Sequence, residues 1–186
     1  MSAARQSLPL TRLVCLVLVA LIAPLAPALA AKAAPEPLSV FGWVENIVIE
    51  PYGFEVKARV DTGANTASMQ GENIEFFKRD GKKWVRFELE VELSHQDNDD
   101  DHPSVIVERP LVRTLVINKS FKKDERRPVV EMDICLDGER RTEEFNLRDR
   151  DHMHYPVLIG RKILRKTALV DSRRTFLTKP GCEAKR

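Results

Sequence analysis

The chain has 186 residues with 30 Lys+Arg against 28 Asp+Glu, a formal net charge of +2, and is long enough for one domain that buries its own core. Its basic excess comes from Arg5 and Arg12. Without the first thirty residues the two signs balance, which removes the main support for nucleic-acid binding.

Arg5 and Arg12 precede an apolar run at residues 13–23 and a small-residue tail carrying Ala28-Leu29-Ala30. That order is an export signal with cleavage after Ala30. The run is shorter than the roughly 20 residues of a spanning helix, and Pro24 and Pro27 interrupt its far side. The competing reading is an uncleaved anchor that tethers the domain to a membrane. Both place the folded part outside the cytoplasm, periplasmic or secreted. Residues 31–37 read as a linker and residues 38–180 as the domain. Cys15 lies in the signal, leaving Cys135 and Cys182. In an oxidising compartment this even count leaves a disulfide and two free thiols both open. Neither cysteine has a histidine in a recognisable nucleophile pattern.

Strand signals dominate the domain. Residues 40–50 are rich in β-branched and aromatic side chains, and Pro51-Tyr52-Gly53 marks a turn. Phe54, Val56, Ala58 and Val60 then alternate with Glu55, Lys57 and Arg59, a half-buried strand running straight into Asp61. Residues 74–79 and 84–93 flank Asp80-Gly81-Lys82-Lys83, a hairpin signal. Residues 94–104 are polar and acidic, a solvated loop. Strands are predicted at 105–107, 111–118, 129–136 and 140–147, with a tight turn at Asp137-Gly138. Only residues 160–166 look helical. Many short strands separated by turns predict an all-β domain, a closed β-barrel or a sandwich.

The strand ending at Val60 delivers Asp61-Thr62-Gly63-Ala64 to a turn. Gly63 permits close backbone approach, Thr62 supplies a hydroxyl, and Ala64 keeps the loop small. An aspartate that merely caps its own turn is the common alternative. A second element, Pro156-Val157-Leu158-Ile159-Gly160-Arg161, is an apolar strand ending at a glycine before the short helix.

Together these two segments resemble the retropepsin and pepsin-like clan, in which the second strand crosses beside the catalytic loop and supports it. Residues 60–68, Arg127-Pro128-Val129-Val130, residues 146–150 and residues 169–177 are similar to a bacterial family of retropepsin-like aspartic endopeptidases, formerly labelled ATP-dependent zinc proteases. The resemblance covers most of residues 40–178, and its motifs are specific in combination and weak singly. It implies a single closed β-barrel with one short C-terminal helix and a peptide or protein substrate. It also implies an Asp61, Thr62, Gly63 catalytic loop supported by Ala64, Leu158, Ile159, Gly160 and Arg161. Two carboxylates must share one proton across a water. Only one Asp-Thr-Gly is present, so a homodimer with one Asp61 from each chain is expected, with Thr62 bonding across it. A single-chain alternative would recruit Asp149, Asp151 or Asp171. Arg161 is expected in an ion pair. A flap is expected at the Asp80-Gly81 hairpin, which is charged rather than glycine-rich. Family members beside peptide-ligase genes point to a specialised peptide or amino-acid conjugate as substrate.

The older label finds little in the residues. No phosphate loop and no His-Glu-x-x-His is present, and no metal or other cofactor is expected. Of His95, His102, His152 and His154, the last two could share a strand face, but solvated loop positions are the plainer reading. Asp97, Asp99, Asp101 and Glu108 fall on a calcium-loop spacing, yet His102 replaces the required glycine. Competing functions are a non-catalytic periplasmic binding or adaptor module and a metal-dependent hydrolase. A Ser at position 64 could donate a hydrogen bond to the catalytic pair and favour its ionised form. Ala64 cannot. The pH optimum is therefore expected nearer neutral than in pepsin-like enzymes. The acid-side limb of the pH–rate profile should move to lower pH in Ala64→Ser.

Overall fold

The structure, a computed structural model, describes residues 38–91, 103–117 and 124–182. The signal, the linker, most of the acidic loop and residues 118–123 lie outside the described residues. In chain order the elements are β1 (Ser39–Gly42), β2 (Val44–Glu50), β3 (Phe54–Val60), β4 (Ala67–Gln70), β5 (Glu72–Arg79) and β6 (Lys82–Glu90). Then follow β7 (Ser104–Pro110), β8 (Arg113–Ile117), β9 (Glu125–Leu136), β10 (Glu139–Arg148), β11 (Val157–Ile159), α1 (Arg161–Thr167) and β12 (Ala168–Asp171).

Six strands close on themselves in the order β10-β4-β11-β3-β2-β9, with the antiparallel β9–β10 pairing completing the ring. Among the described residues the expected all-β barrel with one short helix is what forms. β8 extends the sheet beyond β9, β5-β6-β7 make a separate antiparallel sheet, and β1 pairs in parallel with β12. The alternation in β3 buries Val56, Ala58 and Val60 inside, against Ile47, Met69 and Phe145. Val85, Phe87 and Leu89 of β6 join the same core. Burial on this scale is the main favourable term in folding.

Both Asp-Gly turns form as two-residue hairpins with positive φ, Asp80 and Gly81 at 50° and 75°, Asp137 and Gly138 at 55° and 75°. That geometry matches the twist of the flanking strands, so Lys82 and Lys83 belong to β6 rather than to the turn. The stretch at 40–50 is two strands, because the backbone of Trp43 is diverted. Its N–H donates to Arg174 O at 2.9 Å and its carbonyl accepts from Val60 N at 2.9 Å. Cys135 and Cys182 are joined in a disulfide, 47 residues apart in sequence, that ties β9 to the C-terminal segment.

Glu45 lies in β2 at 0% exposure. Its Oε1 accepts from Gly42 N at 2.5 Å and Leu177 N at 3.0 Å, and its Oε2 from Thr178 N at 3.1 Å and Thr178 Oγ1 at 2.9 Å. A buried carboxylate is tolerated when donors satisfy it. Here the donors come from both ends of the domain. Glu45→Ala leaves those groups without an acceptor and is expected to cost about 3 kcal/mol, measured by urea denaturation, with a smaller loss for Glu45→Gln.

Candidate active site

β3 hands the chain to Asp61 while β11 runs parallel beside it, with Ile159 opposite Val60 and Leu158 opposite Arg59. The N–H of Asp61 donates to Ile159 O at 2.9 Å, so the aspartate is the first residue past the pairing. Its Oδ1 accepts from Gly63 N at 2.8 Å and Ala64 N at 3.1 Å. Among the described residues Oδ2 has no hydrogen-bond partner. Asp61 is half-buried, and Thr62 and Gly63 are exposed. Two such bonds are what any turn-capping aspartate makes. A second layer beneath the turn sets this one apart.

That layer is Gly160 and the start of α1. A Cβ on Gly160 would lie 2.7 Å from the carbonyl carbon and oxygen of Thr66, so only glycine lets the two backbones meet. The contact brings Arg161 N to Ala64 O at 2.9 Å and Lys162 N to Asn65 O at 3.1 Å. The Arg161 side chain reaches over the turn, where Nη1 donates to Thr62 O at 2.9 Å and Gly63 O at 2.7 Å. The ion pair expected for Arg161 is therefore corrected. Among the described residues its guanidinium satisfies backbone carbonyls instead, because the crossing leaves them facing it.

The alternative acids are engaged elsewhere. Asp171 bonds Arg173 and Arg174, and the Arg173 guanidinium beside it holds its carboxyl well below the usual range. Asp149 accepts from Asp151 N at 3.0 Å. Asp151 accepts from Gln70 Nε2 at 2.6 Å and lies against Glu72, whose carboxyl is pushed up by burial first and then by Asp151. None of the three hydrogen-bonds Asp61 among the described residues. Glu108, from the calcium-loop spacing, is held by Arg79 and Arg86. Glu50 lies close to Cys135 and Cys182, but the disulfide consumes both thiols as metal ligands.

A cavity of about 480 Å³ opens beside the loop, with Ala64, Asn65 and Thr66 on one wall. Arg59 of β3, Arg127 of β9, Arg148 of β10 and Arg150 just beyond it converge on the other, and none of the described lining residues is acidic. Arg150 is 6% exposed, and its Nε donates to Tyr155 O at 2.9 Å. Burial, then the charges of Arg148, Arg127 and Arg59, push its pKa down to about 10. Asn146 accepts from Arg127 Nη1 at 3.2 Å. Ser68 also lines the cavity at 4% exposure, and its hydroxyl is buried without a hydrogen-bond partner among the described residues. Leu115 and Ile117 of β8 border the same cavity, whereas the Asp80-Gly81 hairpin, expected as a flap, does not. Sequence reasoning missed this arginine cluster. Its only signal was the alternation of Arg148 and Arg150 past Asn146, since the other two arginines come from distant strands.

Arg161→Ala is expected to cost about 1–2 kcal/mol and to speed amide exchange at Gly63 and Ala64 while the core strands stay protected. Native-state hydrogen exchange alongside urea denaturation checks both effects.

A family model described as RimB-like, retropepsin-like aspartic endopeptidase RimB, matches residues 40–180. A probable alpha-L-glutamate ligase of Desulfotalea psychrophila is 34% identical over 116 residues, 62% of this chain and 24% of that protein. One of Shewanella pealeana is 36% identical over 121 residues, 65% of this chain and 25% of that protein. The chain thus spans about a quarter of the length of these curated relatives. A crystal structure of a Legionella pneumophila protein of unknown function matches with a TM-score of 0.61 and 29% identity, covering 76% of this chain and 98% of that one.

Proposed function

The chain belongs to the RimB-like family of retropepsin-like aspartic endopeptidases, and we propose that it is an exported peptidase that hydrolyses acidic peptides with one Asp61 from each of two copies. The observation that carries this reading is Asp61 itself. Its Oδ1 is fixed by two backbone N–H groups on a loop that Gly160 and Arg161 hold in place, which is preorganisation a surface turn does not need.

Two facing carboxylates cannot both ionise, so the pair holds one proton. The ionised member takes a proton from the water as its oxygen attacks the peptide carbon. The protonated member hydrogen-bonds the carbonyl oxygen in the tetrahedral intermediate. The proton then passes to the leaving amine as the C–N bond breaks. A second copy supplies the second acid, since Asp149, Asp151 and Asp171 are held by other partners. Thr62, exposed in the same loop, would bond across the two-fold axis.

The arginine cavity supports an anionic substrate. Guanidinium groups pair carboxylates with charge-assisted hydrogen bonds. The curated relatives are named as glutamate ligases. That activity belongs to proteins about four times as long as the matched part, and hydrolysis of glutamate-rich peptides is the complementary chemistry for the shared domain. The Cys135–Cys182 disulfide supports the exported location. A binding module on the same barrel is the second reading, favoured by the cavity alone.

Purified protein is expected to cleave glutamate-rich peptides without inhibition by chelators, and Asp61→Asn should lower the rate roughly 10²–10⁴-fold. Active protein should sediment as a dimer. Cleavage that persists unchanged in Asp61→Asn would overturn the mechanism, and no cleavage by either protein would leave the binding module.

A further inference from the structure

Beyond the arginine cavity lies a second one, of about 540 Å³, lined by Trp43, Tyr155, Met153 and the two histidines His152 and His154. It shares Arg59, Arg150 and Met153 with the first, so the two cavities have a common wall of guanidinium groups. Trp43 is 41% exposed, although its backbone is pinned on both sides, to Arg174 O and by Val60 N. The indole is thus held one strand away from the residue that precedes Asp61. It meets the Tyr155 ring edge-on, with centroids 6.2 Å apart and an interplanar angle of 89°, and the His154 ring lies 6.5 Å from that of Tyr155, tilted by 45°.

An exposed indole, a phenol and a thioether around one cavity form an apolar receptor whose hydration is costly to maintain. No described lining residue is acidic, and the shared wall is cationic. The cavity therefore suits an apolar group carried by a molecule that also bears a negative charge. Its continuity with the arginine cavity makes both parts of one groove.

We propose that the Trp43–Tyr155 cavity is a specificity subsite for an aromatic or large aliphatic side chain of the peptide whose acidic residue occupies the arginine cavity. Side chains on one face of an extended peptide recur at every second position. The preferred pattern is therefore an acidic residue and an aromatic residue separated by one other. This deepens the acidic-peptide reading and rests on it for the identity of the bound molecule, but its test does not need turnover.

The test uses the Asp61→Asn protein, full chain without the first thirty residues, and synthetic peptides that present Glu-Ala-Phe or Glu-Ala-Ala within the same polar flanks. Binding is followed calorimetrically and by indole fluorescence, with Trp84→Phe to isolate the Trp43 signal. The Phe peptide is expected to bind at least about tenfold more tightly and to shift the Trp43 emission. Trp43→Ala should erase that preference while the affinity for the Ala peptide stays within about twofold. Tyr155→Leu is the companion variant should Trp43→Ala fail to fold, and it should weaken the same preference. Equal binding of the two peptides, or a preference that survives both substitutions, overturns the subsite. A Trp43→Ala protein that loses the dimer and keeps the preference overturns it too, and assigns the indole to contact between copies. Selective binding without cleavage by the wild-type protein would sink the peptidase reading and leave the subsite standing. Cleavage of both peptides at equal kcat/KM would do the reverse.

Discussion

Two stretches of backbone meet at Gly160 with no room for a side chain between them. The carbonyl of Thr66 lies 2.7 Å from where a Cβ would project, and the contacts that α1 makes with the Asp61 turn follow from that closeness. The approach brings Arg161 N and Lys162 N to Ala64 O and Asn65 O. It also puts the Arg161 guanidinium over the carbonyls of Thr62 and Gly63. The turn then has little freedom, and Asp61 Oδ1 is held by two donors while its other oxygen has no hydrogen-bond partner among the described residues. One side-chain-free contact thus transmits the rigidity of the barrel to a loop that would otherwise behave like any surface turn.

The cavity beside this loop carries the opposite physical character. Four arginines line a space with no acidic group among the described lining residues, and burial of one of them, Arg150, pushes its pKa down to about 10. The like charges around Arg150 repel one another, a cost that Glu125 beside Arg127 offsets in part and that a bound anion would lower further. The barrel interior, with Val56, Ala58, Met69 and Phe145 fully enclosed, supplies the stability that lets this local cost persist. Conflict between local energetics and global fold is expected at a functional site.

Much of the fold was legible because its signals are local. The alternation from Phe54 to Val60 and the two Asp-Gly turns depend only on neighbouring residues, and the structure realises them. The short helix at Arg161 also read correctly to within a residue. β4 was not foreseen because Ala67, Ser68, Met69 and Gln70 are all buried, so no alternation remains. The break at Trp43 comes from backbone bonds to Arg174 and Val60, which no local pattern encodes. The Glu45 clamp was invisible for the same reason, since its donors at Leu177 and Thr178 lie at the far end of the domain. For the site, Asp61 and Gly160 were recognisable as a pair of segments, whereas the arginine cavity exists only after β3, β9 and β10 are brought together.

The C-terminal segment is held twice, by the carboxylate of Glu45 at Leu177 and Thr178 and by the bond from Cys182 to Cys135. Once the carboxylate has engaged, the covalent tether restrains only a few further residues in the folded molecule. Its larger effect falls on the denatured chain, where closing a 47-residue separation removes conformational freedom worth about 4 kcal/mol in the loop-entropy account. A reducing environment would therefore leave the native contacts of the tail intact while making the whole barrel easier to unfold. Redox state would set how long the protein lasts, and the architecture of its groove would be unchanged.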